Sequence, residues 1–473
     1  LLQSQFSTFR NAARGDPFPT LLQRKQWLSS LQRMLDAHAQ DFTRAISEDF
    51  GHRSAAETWI ADIMPLRSAL RHTQRHLARW MRTQKVPTNW KFKPGRSVIV
   101  AQPLGVVGVI SPWNYPLYLA LAPAVDALAA GNRVMIKPSE LTPRFSELLA
   151  ELVAQYFAAD TLRVVLGGVD VGRAFSALPW DHLFFTGSTQ VGASIAKVAA
   201  ANLTPTTLEL GGKSPTIISQ SANLERALGS VVMGKALNAG QTCIAPDYLY
   251  VHIRHREQFV KSFERALYAQ YPDLNNTRDY TALISAAHFD RQLALLDDAR
   301  AQGAQVIAPQ WANALPDRQR RRLAPTLVLE TSSTMRVMQE EIFGPVLPVL
   351  FYSQIEDVIK EIGARPRPLA LYWFGNDVRE QQRILQQTIA GGVTINDCLL
   401  HIAQENLPFG GIGPSGHGSY HAEWGFRNFS KLKPVFEQSR WSGSHLLRAP
   451  YGRLFEWMAK AMGRRHSLAK KDL

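Results

Sequence analysis

From residue 21 to about residue 84, apolar positions recur at three-, four- and seven-residue intervals, with Leu28, Leu31, Leu35 and Phe42 set among Arg, Gln and Asp. That is the spacing of one face of a helix, so an α-helical lead-in is expected. A turn signal at Lys93-Pro94-Gly95-Arg96 separates residues 89–92 from the β-branched run 97–101, which predicts an extended hairpin arm. The rhythm then changes. Short β-rich runs at 105–111, 133–137, 162–165 and 182–186 alternate with helical patterns at 117–130, 145–157, 171–177 and 191–200. Such alternation predicts a parallel, doubly wound α/β sheet. After Lys213 the pattern restarts with a strand at 215–218, helices near 224–237 and 256–269, and further βα units to about residue 396. A second α/β domain is therefore expected to begin near residue 210. No low-complexity linker divides the two, and a cleft between them is the default place for a ligand.

Composition narrows the class. A chain of 473 residues is too long for one hydrophobic core, and 45% hydrophobic with 19% charged residues suits a soluble globular protein. Only two cysteines, Cys243 and Cys398, are present, which favours a reducing, cytoplasmic setting. Residues 1–14 contain no continuous apolar core, so no secretory signal is expected. The longest apolar stretch, residues 117–130, is interrupted by Pro123 and Asp126 and reads as buried core rather than a membrane span. A net charge of +14 raises the possibility of a polyanionic partner. The basic residues are spread along the chain, however, without a zinc-finger, RNP or helix-turn-helix pattern, so nucleic acid is not expected. In the basic tail Leu454, Phe455, Trp457, Met458, Ala461 and Met462 fall at amphipathic-helix spacing. Packing against a partner subunit is favoured there over peripheral contact with a membrane surface.

Six signals carry chemistry. Cys243, in Asn238-Ala239-Gly240-Gln241-Thr242-Cys243, has small and polar neighbours and little apolar side chain to pack against, which makes it a candidate nucleophile; an inert core thiol is the alternative. Asn114, in Ser111-Pro112-Trp113-Asn114-Tyr115-Pro116, follows a predicted parallel strand, where it could serve as an oxyanion donor or merely bond its own turn. Lys137 and Glu140 follow the next strand and could hold ribose hydroxyls, or form a solvated loop. Thr186-Gly187-Ser188 with Gly192 forms a strand-to-helix junction suited to a diphosphate, although it lacks the full dinucleotide fingerprint. Glu209, between Leu208 and Leu210-Gly211, is a candidate desolvated general base, or an edge-strand carboxylate in solvent. On an extended segment Glu341 and Phe343 would point the same way, as ribose acceptor and ring support; a core Phe beside a solvated Glu is the bland reading.

The order of these segments, over roughly residues 20 to 440, resembles the aldehyde dehydrogenase superfamily. Residues 243–248 and 407–413 are most similar to its class 3 branch, and residues 413–416, 420–421 and 429–435 to bacterial coniferyl aldehyde dehydrogenases within it. The resemblance implies a Rossmann-type doubly wound cofactor domain (1–85 and 104–210), a second α/β catalytic domain (211–411), a small β bridging arm (86–103 and 412–440) and a basic tail (441–473). It implies Cys243 as nucleophile, Asn114 as oxyanion donor and Glu209 as the base that hydrolyses a thioester. Ser111, Pro112, Trp113, Lys137, Glu140, Thr186, Gly187, Ser188, Gly192, Leu210, Gly211, Glu341 and Phe343 would bind the cofactor, and no metal is implied. Glu140 favours NAD over NADP, since it would repel a 2′-phosphate, though NADP is often accepted in this branch. A homodimer is implied. Coniferyl aldehyde is the leading substrate and a medium- or long-chain fatty aldehyde the alternative. Transfer to coenzyme A and a catalytically silent binding protein are weighed against by Glu209 and by the trio as a whole. Two departures stand out: His417 replaces a usual Met, and Ala422 a usual Gly, in a loop expected near the substrate. Cys398 is read as structural, and His401 carries no assigned role.

Overall fold

Thr20 starts the long helix Leu21–Phe50: its side chain accepts from the Gln23 backbone N–H, the Gln23 side chain answers on the Thr20 N–H, and Gly51 at φ 74° ends the helix. The computed structural model describes residues 2–313, 315–443 and 448–468. Leu28, Leu31, Leu35 and Phe42 form the buried face of this helix, as their spacing predicts. A helix at Leu2–Gly15 precedes it, anchored by buried Phe6 and Phe9. The rest of the lead-in runs through Ala55–Thr58, a π-helical turn at Trp59–Ile63, and Met64–Trp80.

The strands in chain order are β1 (Gln84–Val86), β2 (Arg96–Pro103), β3 (Val106–Ile110), β4 (Arg133–Lys137), β5 (Leu162–Val164), β6 (His182–Gly187), β7 (Thr206–Leu210), β8 (Pro215–Ile218), β9 (Tyr248–His252), β10 (Gln305–Ile307), β11 (Thr326–Leu329), β12 (Val346–Tyr352), β13 (Ala370–Phe374), β14 (Gly392–Ile395), β15 (Gly416–His417) and β16 (Ser430–Glu437). They form three sheets.

The first has the order β15-β7-β6-β3-β4-β5 and is parallel except for β15. The second has the order β10-β11-β12-β9-β8-β13-β14 and is parallel except for β10. Central strands such as β4 are buried along their whole length, which is why they read as unbroken apolar runs. The helix Pro116–Ala129 is also buried throughout, and Pro116 at its start costs no hydrogen bond there. In the first sheet the chain builds outward from β3 through β4 to β5, then returns to the other side of β3 as β6 and β7. The carboxyl ends of β3 and β6 therefore meet at a topological switch point, where open α/β sheets bind ligands.

Residues up to Trp80 together with Pro103–Ser430 form one compact unit, which contains both α/β sheets. Residues 412–430, expected in the bridging arm, lie in this unit because β15 pairs antiparallel with β7. Gly416 at φ 126° makes the pairing possible, since a side chain there would strike the Leu208 carbonyl.

The other unit comprises Met81–Gln102 and the described residues from Lys431 onward. In it β1, β2 and β16 form a three-stranded sheet. The hairpin expected across residues 89–101 pairs differently: β1 is the partner of β2, with Gln84 opposite Ile99. Trp90–Phe92 is a 3-10 turn, because the Asn89 side chain accepts from the Lys91 N–H and offers the backbone a local alternative to pairing. The tail forms a helix at Arg453–Leu468; residues 444–447 and 469–473 of the basic tail lie outside the described residues.

Candidate active site

Thr186 on β6 and Glu209 on β7 are direct partners across two parallel strands, so their side chains emerge on the same face. Both line a cavity of about 180 Å³. Cys243 enters the same cavity from the other sheet, on the turn that leads into β9. The walls are otherwise mainly apolar and aromatic, with Leu119, Met233, Leu237 and Leu399 beside Tyr115, Tyr118, Phe409 and Tyr420; none of the lining residues is cationic. Cys243 therefore has ample apolar surroundings, against the expectation from its small and polar neighbours in sequence. Its turn is pinned on one side by Tyr372, whose hydroxyl donates to the Ile244 carbonyl at 2.6 Å.

This setting determines proton affinity. Burial pushes the half-buried Cys243 thiol up to about 12, with Glu341 and Glu209 adding to the rise; the N–H groups of Cys243 and Ile244 oppose it. Burial alone holds Glu209 well above the ordinary carboxylate range, and neither of its oxygens has a hydrogen-bond partner. The desolvated reading of Glu209 is the one observed. Cys398 is fully buried, with a thiol pushed far up by burial, as suits a structural residue.

Asn114 is buried directly after the switch point. Its side-chain amide donates to the Gln241 carbonyl at 3.1 Å, which leaves the second N–H of that amide for another acceptor. The loop therefore touches the segment that carries Cys243, although Asn114 does not itself line the cavity.

The residues assigned to a cofactor fall around the same sheet edge. Ser111 Oγ, Thr186 Oγ1 and Glu341 Oε1 are buried without partners among the described residues, so each is free to bond a polar group from outside. Lys137 Nζ donates to the Pro138 carbonyl at 2.8 Å and to Glu140 at 3.2 Å, at the carboxyl end of β4. Gly211 provides a cradle: a side chain there would run into the Glu341 carboxylate. Burial raises Glu341 to about 8, with Asp247 adding to the rise against the Gly212 N–H, Lys213 and Arg291. Pro112 and Trp113 stand beside this edge, and Trp113 meets Phe343 edge to face at 5.5 Å. This donor set fits a dinucleotide with two riboses and a flat ring.

Three expectations need correction. The segment after Glu341 is not extended, because Phe343 has φ 48°, so alternation along a strand does not explain how the pair is placed. Gly192 does not expose its N–H, which donates to the Ser188 carbonyl at 2.9 Å; its missing side chain makes room for Leu210. Gly187 makes room for the Phe185 ring and leads into Ser188 at the exposed start of helix Thr189–Ala200, a junction suited to an anion. His417 and Ala422 do not line the cavity: His417 is exposed on β15 and bonds Thr206 Oγ1 at 2.8 Å, while Ala422 starts a helix at φ 48°.

The structure adds residues with no local signal. Lys213 ties Asp247 to the carbonyls of Val337 and Glu340, and Asp247 accepts from the Ile342 N–H at 2.8 Å, so the Cys243 and Glu341 segments are braced together. Lys213 lies four residues after Glu209, yet its partners lie up to 127 positions away. His401 bonds Thr394 at 2.8 Å and lies against Phe409, which makes it a support for the cavity wall.

Residues 17–435 match the aldehyde dehydrogenase family. A probable coniferyl aldehyde dehydrogenase of Pseudomonas aeruginosa is 48% identical, covering 96% of this chain and 94% of its own length. A coniferyl aldehyde dehydrogenase of a Pseudomonas species is 46% identical over 90% of this chain and 89% of its own. The structure of Staphylococcus aureus AldH in its substrate-bound state superposes with a TM-score of 0.92 at 33% identity, covering 98% of this chain and 99% of that one. With its two α/β sheets, its cysteine and glutamate on one cavity and its dinucleotide-type edge, this chain belongs to the aldehyde dehydrogenase family, enzymes that oxidise aldehydes with a nicotinamide cofactor.

Proposed function

We propose that the chain oxidises an aromatic propenal of the coniferyl aldehyde type to its acid, with NAD as the preferred cofactor and Cys243, Glu209 and Asn114 as the catalytic residues. The observation that carries this reading is the pairing of Cys243 with an unpartnered, desolvated Glu209 on one mainly apolar cavity. Cys243 first loses its S–H proton to solvent, and the thiolate Sγ attacks the aldehyde carbon as the carbonyl π bond opens, giving a thiohemiacetal whose oxyanion accepts from the Asn114 amide and the Cys243 N–H. The bound nicotinamide supplies the hydride acceptor. Loss of hydride leaves a thioester on Cys243, and ionised Glu209 takes a proton from the water that hydrolyses it.

Lys137 and Glu140 hold the adenosine ribose, the Ser188 helix start the diphosphate, and Glu341 the second ribose beside Phe343. Ser111, Thr186, Leu210 and Gly211 complete the contact surface. Glu140 disfavours a 2′-phosphate, which supports NAD over NADP. The aromatic walls at Tyr115, Tyr118, Phe409 and Tyr420 support an aromatic aldehyde, and so do the names of the two Pseudomonas relatives. A cytoplasmic homodimer completes the proposal, and light scattering of the purified chain tests its oligomeric part.

The deciding experiment measures kcat/KM for coniferyl aldehyde, benzaldehyde and straight-chain aldehydes with NAD and with NADP. Coniferyl aldehyde with NAD is expected to lead; a higher value for decanal would overturn the substrate reading, and a preference for NADP would overturn the role of Glu140.

A further inference from the structure

We propose that Arg53 is a positioning residue for the chemistry at Cys243, holding the Asn114 peptide in place, and that Asp62 ties this brace to the wall of the aldehyde cavity. The inference rests on the reading of Asn114 as oxyanion donor.

Arg53 is 1% exposed and more than 60 positions from any residue of the reacting trio. One arm of its guanidinium donates to the Asn114 carbonyl at 2.7 Å, and the other to Asp62 Oδ2 at 2.9 Å. The group lies over the rings of Phe50 and Tyr115 at 5.1 and 5.0 Å, so its plane is set from the side as well. The Asn114 carbonyl takes a second bond, at 3.0 Å, from the side chain of Asn238. Asn238 in turn donates to the Gln241 carbonyl at 3.2 Å, the same oxygen that receives the Asn114 amide. Asn114, Asn238 and Gln241 thus close a ring between the loop after β3 and the turn before Cys243. Arg53 is the charged fixture of that ring.

Asp62 extends the brace. Its other oxygen accepts from the Tyr118 N–H at 2.9 Å, in the first turn of helix Pro116–Ala129, and Tyr118 lines the cavity. Asp62 itself belongs to the π-helical turn whose Ile60 and Ala61 also line it. Single-turn π-helices inside α-helical runs are frequent at functional sites. A buried ion pair is seldom retained for net stability, because desolvation of both charges offsets their attraction. Here the planar fork of the guanidinium does something a lysine ammonium cannot: it grips a carboxylate and a backbone carbonyl in one plane. A shift of about 1 Å in a reacting group costs about a hundredfold in rate, so a peptide left free to turn at Asn114 would be felt in acylation.

The test is a double-mutant cycle read by the pre-steady-state burst of reduced cofactor at saturating aldehyde and NAD. Arg53→Lys, Asn114→Ala and the double variant are compared, with thermal midpoint and aldehyde KM recorded for each. Arg53→Lys is expected to slow the burst about 10- to 100-fold with KM little changed, and to have almost no further effect in the Asn114→Ala background. Equal slowing with and without Asn114, or an unchanged burst in Arg53→Lys, overturns the proposal. If Asn114→Ala alone acylates normally, the oxyanion reading falls and takes this inference with it. Should Arg53→Lys not fold, Asp62→Asn replaces it in the same cycle: a burst effect that vanishes without Asn114 supports the brace, and an additive effect overturns it.

Discussion

Cys243 and Glu209 share a cavity with no cation among its described lining residues, and this shapes how each holds its proton. The Cys243 thiol is raised to about 12, so in the ligand-free protein its alkylation by iodoacetamide is expected to be slow at pH 7 and to climb through pH 10, where an ordinary thiol of pKa about 8.5 has levelled off. Levelling near pH 8.5 would contradict this. Cys243→Ala is expected to abolish aldehyde oxidation while NAD affinity, measured by fluorescence titration, survives. Glu209 acts as a base only when ionised, and its raised pKa keeps it protonated through the ordinary carboxylate range. Thioester hydrolysis is therefore expected to rise with pH above that range. Glu209→Gln should slow it by about a hundredfold or more and remove the rise, measured as steady-state turnover after the first burst. The leucine and glycine neighbours of Glu209 offered desolvation as one of two readings, and burial in the fold decided between them. That of Cys243 was not, because the side chains that desolvate it come from distant elements.

At the scale of elements, the turn Leu237–Gly240 holds Asn238, Ala239 and Gly240 in succession at φ 53°, 52° and 74°. Such backbone costs about 1–3 kcal/mol per non-glycine residue and persists only where its surroundings determine it. Here they do. The Gln241 side chain donates to the carbonyls of Asn238 and Ala282 and accepts from the Ile284 N–H. The strands and helices of both sheets were legible as alternating patterns, because each is governed by residues within a few positions. This turn was not, since no local rule puts Ala239 in the left-handed region. The junction after β7 offers a sharper test. Gly211→Ala places a methyl group where the Glu341 carboxylate lies, and a flexible side chain can swing away, so the fold should survive. If Glu341 holds the cofactor ribose, KM for NAD rises about tenfold, the loss of one hydrogen bond. An unchanged KM would remove Glu341 from the cofactor site.

Across the whole molecule, buried acids link the site to stability. Burial raises Glu57 from 4.5 to about 7 against the pull of Thr281 and Arg53. A carboxyl group whose folded pKa is raised favours folding in its protonated form, so its contribution is complete below pH 4.5 and is lost as pH rises through 7. The wild-type chain is expected to lose on the order of 3 kcal/mol from this group across that window. Glu57→Gln should flatten the pH dependence of urea unfolding there, and an unchanged slope would contradict the assignment. By itself the sequence determined the α/β alternation, the switch-point loops and the order of chemical motifs, because these depend on near neighbours and on residue type. Only the tertiary structure decided that Cys243 sits among apolar walls, that Gly192 packs against Leu210 with its N–H already bonded, and that Arg53 and Asp62 reach the site at all. The physical reason is range: helical and strand periods are local, whereas desolvation and hydrogen-bond partnership are set by side chains that folding brings together from a hundred or more positions away.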